Sequence, residues 1–150
     1  MNKTKLTPRQ RAIAAGYRSG LVQKVAAEYA ALSIPVQYEE DLIRYNVPGR
    51  GARYTPDFVQ PNGIIVETKG RFETADRQKH ILIKGQHPDL DIRFVFSNPQ
   101  SRISKTSQTT YAMWCDKHGF LYAARSVPQS WVYEPTNPRS IDALQKAGLK

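Results

Sequence analysis

One turn does more than any other feature to restrict what this chain can fold into. Pro61-Asn62-Gly63 separates Phe58-Val59-Gln60 from the apolar run Ile64-Ile65-Val66. A loop of that length, with its glycine in the left-handed conformation, predicts a bulged β-hairpin. Gln60 then pairs with Ile64, Phe58 with Val66, and Asp57 with Glu67. Glu67 and Lys69 stand two residues apart on the second strand, so their side chains share a face roughly 7 Å apart. Burying an acid and a base beside an apolar run is costly unless something there needs them.

The register says what that is. Two carboxylates directly opposed on one face repel each other unless a cation lies between them. Mg²⁺ (or Mn²⁺) takes a couple of carboxylates together with water and substrate phosphate, which suits Asp57 and Glu67 as metal ligands. Lys69 on the same face is placed to orient or deprotonate an attacking water, or to neutralise charge on a phosphate. A Glu/Lys pair spaced this way is usually just a solvated strand. The Pro56-Asp57 pair ahead of the turn, with the predicted register, favours a metal-dependent nuclease site instead.

Charge points to the same class of partner. The 150 residues carry a formal net charge of +9, the footprint of a polyanion binder, though basicity alone also fits other classes. Lys3, Lys5, Arg9, Arg11, Arg18 and Lys24 all precede the first acid, Glu28, which reads as a cationic arm or a solubilising tail. No apolar run reaches membrane-spanning length and no signal-peptide core opens the chain, so no membrane partner is expected. One cysteine, Cys115, cannot form an internal disulfide, and no Cys/His cluster has zinc spacing. A reduced, cytoplasmic setting is expected.

The length suits one domain. Leu21, Val25, Tyr29 and Leu32 recur at helical spacing behind Ser19, a candidate N-cap, and Ile34-Pro35 ends that helix. Residues 36–45 read as a strand whose acids Glu39, Glu40 and Asp41 suit a charged sheet edge. Val47-Pro48-Gly49-Arg50-Gly51-Ala52 reads as a hinge. After the hairpin come a helix over 74–84, a strand over 90–96 and a helix over 110–117 ending at Gly119. A short strand is expected at 120–123. Strand 64–69, helix and strand 90–96 form a βαβ unit. The polar stretch 97–109, with Arg102 and Lys105, reads as a surface loop. The C-terminal stretch, with Pro128, Trp131, Pro135 and Pro138, reads as irregular. Trp114 and Trp131 are expected in the core rather than as base-stacking platforms. His80 is the best histidine for a phosphate contact, although a solvated helix face is the ordinary reading.

The Pro-Asp…Glu-x-Lys pattern resembles the restriction-endonuclease-like superfamily. Several segments, including Arg18-Ser19-Gly20-Leu21, Tyr54-Thr55-Pro56-Asp57-Phe58, Val66-Glu67-Thr68-Lys69-Gly70, Asp76-Arg77-Gln78-Lys79-His80 and Lys117-His118-Gly119, resemble the bacteriophage endonuclease I family, which includes enzymes resolving four-way (Holliday) junctions. The resemblance implies an α/β fold, a mixed β-sheet flanked by helices, in a domain-swapped homodimer. Residues 1–18 would be a basic arm, 19–135 the nuclease domain and 136–150 a tail. Within the domain, 19–46 would be exchanged across a bridge at 47–52, leaving 53–135 as the catalytic half.

By the same resemblance Asp57, Glu67 and Lys69 are catalytic. The Thr68 carbonyl joins the two carboxylates around one or two Mg²⁺ or Mn²⁺ ions, with no small-molecule cofactor. Arg18, Arg71, His80, Lys105, Lys3 and Lys5 are the expected DNA contacts, branched DNA the substrate, and a bacterial host cell the setting for a phage or prophage product. Shape and phosphates rather than base edges would set selectivity.

The chain departs from the family at Val22, where the resemblance calls for a glutamate as third carboxylate. Glu28 lies nearly two turns on, roughly 9 Å of rise away. A one-metal enzyme, an acid drawn from elsewhere such as Glu39 or Glu40, and a junction binder with impaired cleavage are the three readings. A nickase without structural preference is the alternative activity.

Overall fold

The computed structural model describes residues 20–148. Its helices are α1 (Gly20–Ala31), α2 (Thr74–Gln86), α3 (Tyr111–His118), α4 (Gln129–Val132) and α5 (Pro138–Lys146). The strands are β1 (Gln37–Tyr38), β2 (Ile43–Val47), β3 (Arg50–Tyr54), β4 (Phe58–Val59), β5 (Ile64–Lys69), β6 (Asp91–Phe96) and β7 (Tyr122–Ala124). A five-stranded sheet runs in the order β1-β4-β5-β6-β7, and β2 and β3 form a separate two-stranded sheet. The fold is α/β, with a mixed sheet flanked by helices, as expected.

The centre of the sheet explains the apolar runs. β5 and β6 are parallel, in register from Ile64 opposite Asp91 to Lys69 opposite Phe96, with α2 as the crossover between them. A parallel strand covered on both faces has no solvent side to populate with polar residues. Ile65, Phe94 and Phe96 pack with Phe72, Ile83, Tyr111, Trp114 and Phe120 in one cluster. Ile64, Val66 and Val95 pack on the other face with Phe58, Val22, Val25, Tyr29 and Trp131. Trp114 and Trp131 are thus core residues. Each fully buried large side chain contributes about 1.5–3 kcal/mol, so β5 is held from both sides.

Helix limits follow local chemistry. Thr110 caps α3 by accepting from the Met113 N–H, and Gly119 (φ 75°) closes it in the left-handed conformation. α2 opens on a reciprocal box in which the Asp76 side chain accepts from the Glu73 N–H and the Glu73 side chain from the Asp76 N–H.

Two expectations fail. The strand over 36–45 is split, because Glu39 turns to φ 49°. β1 keeps two residues on the sheet edge, and the chain leaves to begin β2. Three consecutive acids offer no alternating apolar face to continue the ladder. Within this single chain the segment 47–52, read as a hinge, closes in a tight turn: Gly49 (φ 87°) lets Val47 pair with Arg50. The C-terminal stretch is not irregular either. Asn137 accepts from the N–H groups of Arg139 and Ser140, Pro138 occupies the first turn, and α5 follows. Among the described residues no helix is long and apolar enough to cross a membrane. Ser19, the arm with Lys3, Lys5 and Arg18, and their expected roles lie outside the described residues.

Candidate active site

The hairpin forms in the register that its turn demands. Gly63 takes φ 93°, its N–H donates to the Gln60 carbonyl at 3.0 Å, and Gln60 N–H donates to Ile64 at 2.8 Å. Phe58 faces Val66. Hydrogen bonds between the turn and the C-terminal stretch hold it. Ser140 Oγ donates to the Gly63 carbonyl at 2.6 Å, and Asn62 Nδ2 donates to the carbonyls of Trp131 (2.9 Å) and Glu134 (3.1 Å).

The ladder between β4 and β5 stops at Phe58 and Val66, so Asp57 is not simply opposed to Glu67 as expected. It swings across the strand end instead. Asp57 Oδ2 accepts from both the Thr68 N–H and the Thr68 hydroxyl, each at 2.9 Å. Glu67 Oε1 accepts from the Asp57 N–H at 3.0 Å and from the Tyr54 hydroxyl at 2.5 Å. No hydrogen bond among the described residues reaches Glu67 Oε2. Glu67 is therefore oriented through one oxygen, and two donors on Thr68 fix Asp57 Oδ2. Both side chains are almost wholly buried, Asp57 at 0 % and Glu67 at 3 % exposure.

Electrostatics say what this arrangement attracts. Burial first, and then the charge of Asp57, push the Glu67 carboxyl up to about 8, against the opposing influence of Lys69 and the bonds from Tyr54 and Asp57. A carboxyl so displaced holds a proton near neutrality unless a cation takes its place. The residues thus fit a divalent ion held by Asp57 and Glu67. No group of three or more His, Cys, Asp or Glu side chains suited to a metal exists among the described residues, so neither Glu39 nor Glu40 completes a set of three. Val22 is 2 % exposed and packs in the apolar cluster with Phe58 and Val66.

Lys69 Nζ lies 3.4 Å from Asp76 Oδ1, a partly buried pair that ties the base to the first turn of α2. Arg71 and Lys105, expected to touch DNA, line one cavity of about 700 Å³ with Arg102, Ile103 and Ser104. His80 is a correction. It is fully buried, with Tyr54, Phe94 and Phe120 rings edge-on around it, and has no path to a phosphate in this conformation. Burial, then Lys69 and Lys79, hold it well below the usual histidine range.

Sequence reasoning missed Tyr54, the Thr68 hydroxyl and Asp76. Tyr54 and Thr68 sit inside quoted motifs, but only the folded chain shows that they orient the carboxylates. Asp76, three residues after Glu73, was readable as a cap.

Two buried carboxylates and a lysine meet at the C-terminal end of the central strand β5, the end of an open α/β sheet where ligands bind, and define a carboxylate–lysine class of site. The comparison with known families narrows that class: residues 4–150 match the phage endonuclease I family, and the chain belongs to it. It is similar to Endonuclease I of Escherichia phage T7, 45% identical over 134 residues, covering 89% of this chain and 90% of that one. Endodeoxyribonuclease 1 of Enterobacteria phage T3 is also 45% identical, over 135 residues and 89% of each chain.

Proposed function

We propose that this protein is a divalent-metal-dependent endodeoxyribonuclease that resolves four-way junctions and other branched DNA in a phage-infected bacterium, working as a homodimer. The observation that carries the reading is the buried Asp57–Glu67 pair, whose oriented carboxylates and raised Glu67 proton affinity fit a cation. Asp57, Glu67 and the Thr68 carbonyl would hold Mg²⁺ or Mn²⁺. The ion, when bound, supplies Lewis acidity and lowers the pKa of water. Lys69, steadied by Asp76, neutralises charge on the scissile phosphate. Arg71, Arg102 and Lys105 receive the flanking strand in their shared cavity, and the basic residues Arg18, Lys3 and Lys5 add phosphate contacts from the N-terminal arm.

Cutting a junction symmetrically needs two sites related by a two-fold axis, which a C2 dimer supplies. The pairing of β2 with β3 closes within one chain here. The same pairs formed between two chains would make residues 47–52 the bridge of an exchanged dimer. Sedimentation at micromolar concentration checks this, and a monomer would sink it.

A second reading rests on Val22. An apolar, buried residue where the family resemblance calls for an acid favours a one-metal enzyme or, at the limit, a junction binder with impaired cleavage. Purified protein given a labelled four-way junction and a linear duplex in competition, with and without Mg²⁺, decides between them. Metal-dependent cleavage of the junction in preference to the duplex is expected. Binding without cleavage favours the binder, and equal cutting of both DNAs the non-selective nickase.

A further inference from the structure

We propose that Arg44 and Arg53, on the outer face of the β2–β3 hairpin, together grip a single DNA phosphodiester away from the catalytic carboxylates. The proposal rests on the DNA-cleaving reading above and names a contact which that reading does not contain.

The alternation of the hairpin sends Ile43, Tyr45 and Tyr54 into the protein, all buried, and leaves Arg44 and Arg53 exposed. The two arginines are direct cross-strand partners. Opposed side chains on one face have Cβ atoms about 4.5–5.5 Å apart, and like charges there are destabilising. Neither guanidinium has an ion-pair partner among the described residues. The pair is therefore a standing repulsion that an anion between the two groups would convert to attraction.

Space for that anion exists. Arg44, Asn46, Gly51 and Arg53 help to line a cavity of about 320 Å³. Gly51 keeps its side open, since a Cβ built there would meet nothing within 4 Å. The platform is fixed as well. Gln86 closes both backbone groups of Asn46 with bonds of 2.6 Å, and His87 Nε2 lies 2.9 Å from the Arg44 carbonyl. Guanidinium forks match phosphate oxygens in two-pronged fashion, so a phosphodiester suits the pair better than a lone carboxylate. From Arg53 the chain passes Tyr54, where β3 ends, and reaches Asp57 within at most roughly 13 Å of extended chain. A phosphate on the pair thus belongs to the same bound DNA as the one being cut.

The test measures binding of a labelled four-way junction in EDTA across a salt series for wild type, Arg44→Gln, Arg53→Gln, the double variant and Arg53→Lys. If one phosphate is shared, each glutamine variant loses about tenfold in affinity, and the double variant loses little more than either single. Its slope of log affinity against log salt becomes shallower by about 0.9, the value for one phosphate. Arg53→Lys keeps the slope but binds more weakly, because the charge remains and the fork is gone. Thermal melting of the glutamine variants is unchanged or higher, since a repulsion has been removed. An unchanged slope in the double variant, or additive losses with a slope shallower by about two contacts, overturns the shared site. Should a glutamine variant fail to fold, Arg53→Lys decides: full affinity there also overturns it. Wild type that binds and cuts DNA while the arginine variants match it sinks this proposal alone, whereas wild type that binds no DNA sinks both.

Discussion

The two hairpins of this protein are built from the same kind of unit and put charge to opposite use. β4–β5 turns through Pro61-Asn62-Gly63, is locked by Ser140 and Asn62, and buries Asp57 and Glu67. β2–β3 turns through Pro48-Gly49, rests on the end of α2 through Gln86 and His87, and leaves Arg44 and Arg53 in solvent. In the first, burial stores an affinity for cations. In the second, an uncompensated cationic pair stores an affinity for anions. Buried acids are costly and need a rigid frame to stay aligned, and the frame comes from across the whole chain. Exposed cations cost little beyond their mutual repulsion, and local contacts with one helix suffice.

The largest effect expected from breaking the buried side of this contrast is loss of chemistry. Asp57→Ala or Glu67→Ala should reduce cleavage by more than about a hundredfold, since removing even an outer-shell metal partner can cost that much. Junction binding should be kept or tightened, because each change removes a negative charge from the path of a phosphate. Cleavage, binding and melting measured together check this, and unfolding of both variants would mean that the pair is structural.

A smaller change comes from adding a carboxylate. Val22→Glu puts an acid into the cluster with Phe58 and Val66, where Val22 is 2 % exposed. Without metal it should destabilise the protein by about 3 kcal/mol as an unpaired buried charge. If the new side chain reaches the carboxylate pair, Mg²⁺ recovers much of that loss and cleavage speeds up at low Mg²⁺. Urea unfolding with and without Mg²⁺ measures it. A variant that stays destabilised in Mg²⁺ and cuts no faster would show that position 22 has left the metal site.

How much of this contrast was legible depends on how local each signal is. The β4–β5 register followed from three turn residues and an apolar run, and the βαβ unit from period and spacing, so both could be read before any fold was known. The β2–β3 turn has the same kind of signal in Pro48-Gly49, but its family-derived role as a bridge masked the hairpin. The helix over Pro138–Lys146 was readable from Asn137-Pro138 as cap and first turn, and the density of prolines hid it. The burial of His80, the Tyr54 bond to Glu67 and the Thr68 bonds to Asp57 join residues whose closeness depends on how elements pack. No periodicity or spacing encodes them.

Tyr54 gives the next sharpening. Its hydroxyl donates to Glu67 Oε1, one of two bonds that turn the carboxylate. Tyr54→Phe keeps the ring against His80 and removes only that bond. Hydrogen bonds to charged groups contribute about 1.5–3 kcal/mol, so the Mg²⁺ concentration for half-maximal cleavage should rise roughly tenfold. A Mn²⁺ binding isotherm should shift by the same factor with little change in melting. An unchanged isotherm would leave the tyrosine as packing alone.

The smallest effect lies beneath Tyr54, in pH. His80 is enclosed by Tyr54, Phe94 and Phe120, and both ring nitrogens are buried without hydrogen-bond partners among the described residues. Burial, with Lys69 and Lys79 nearby, keeps it neutral well below the usual range. The unfolded chain takes up a proton at that histidine as pH falls through about 6.5, and the folded chain does not. Stability is therefore lost on acidification below that point, by up to about 1.4 kcal/mol per pH unit. Glu67 acts with the opposite sign in EDTA. Its folded value of about 8 lies above the ordinary carboxyl value of 4.5, so the folded chain keeps a proton that the unfolded one has released, and stability rises as pH falls across that interval. In wild type the two slopes oppose each other between about 4.5 and 6.5. His80→Phe keeps the aromatic packing and removes one of them, so its advantage over wild type should widen steadily below pH 6.5 and stay constant above it. Urea unfolding of both proteins in EDTA from pH 8 to pH 5 reads the difference directly. A constant difference across that range would mean that His80 gains its proton in the folded state, and that the core beneath the carboxylates admits water.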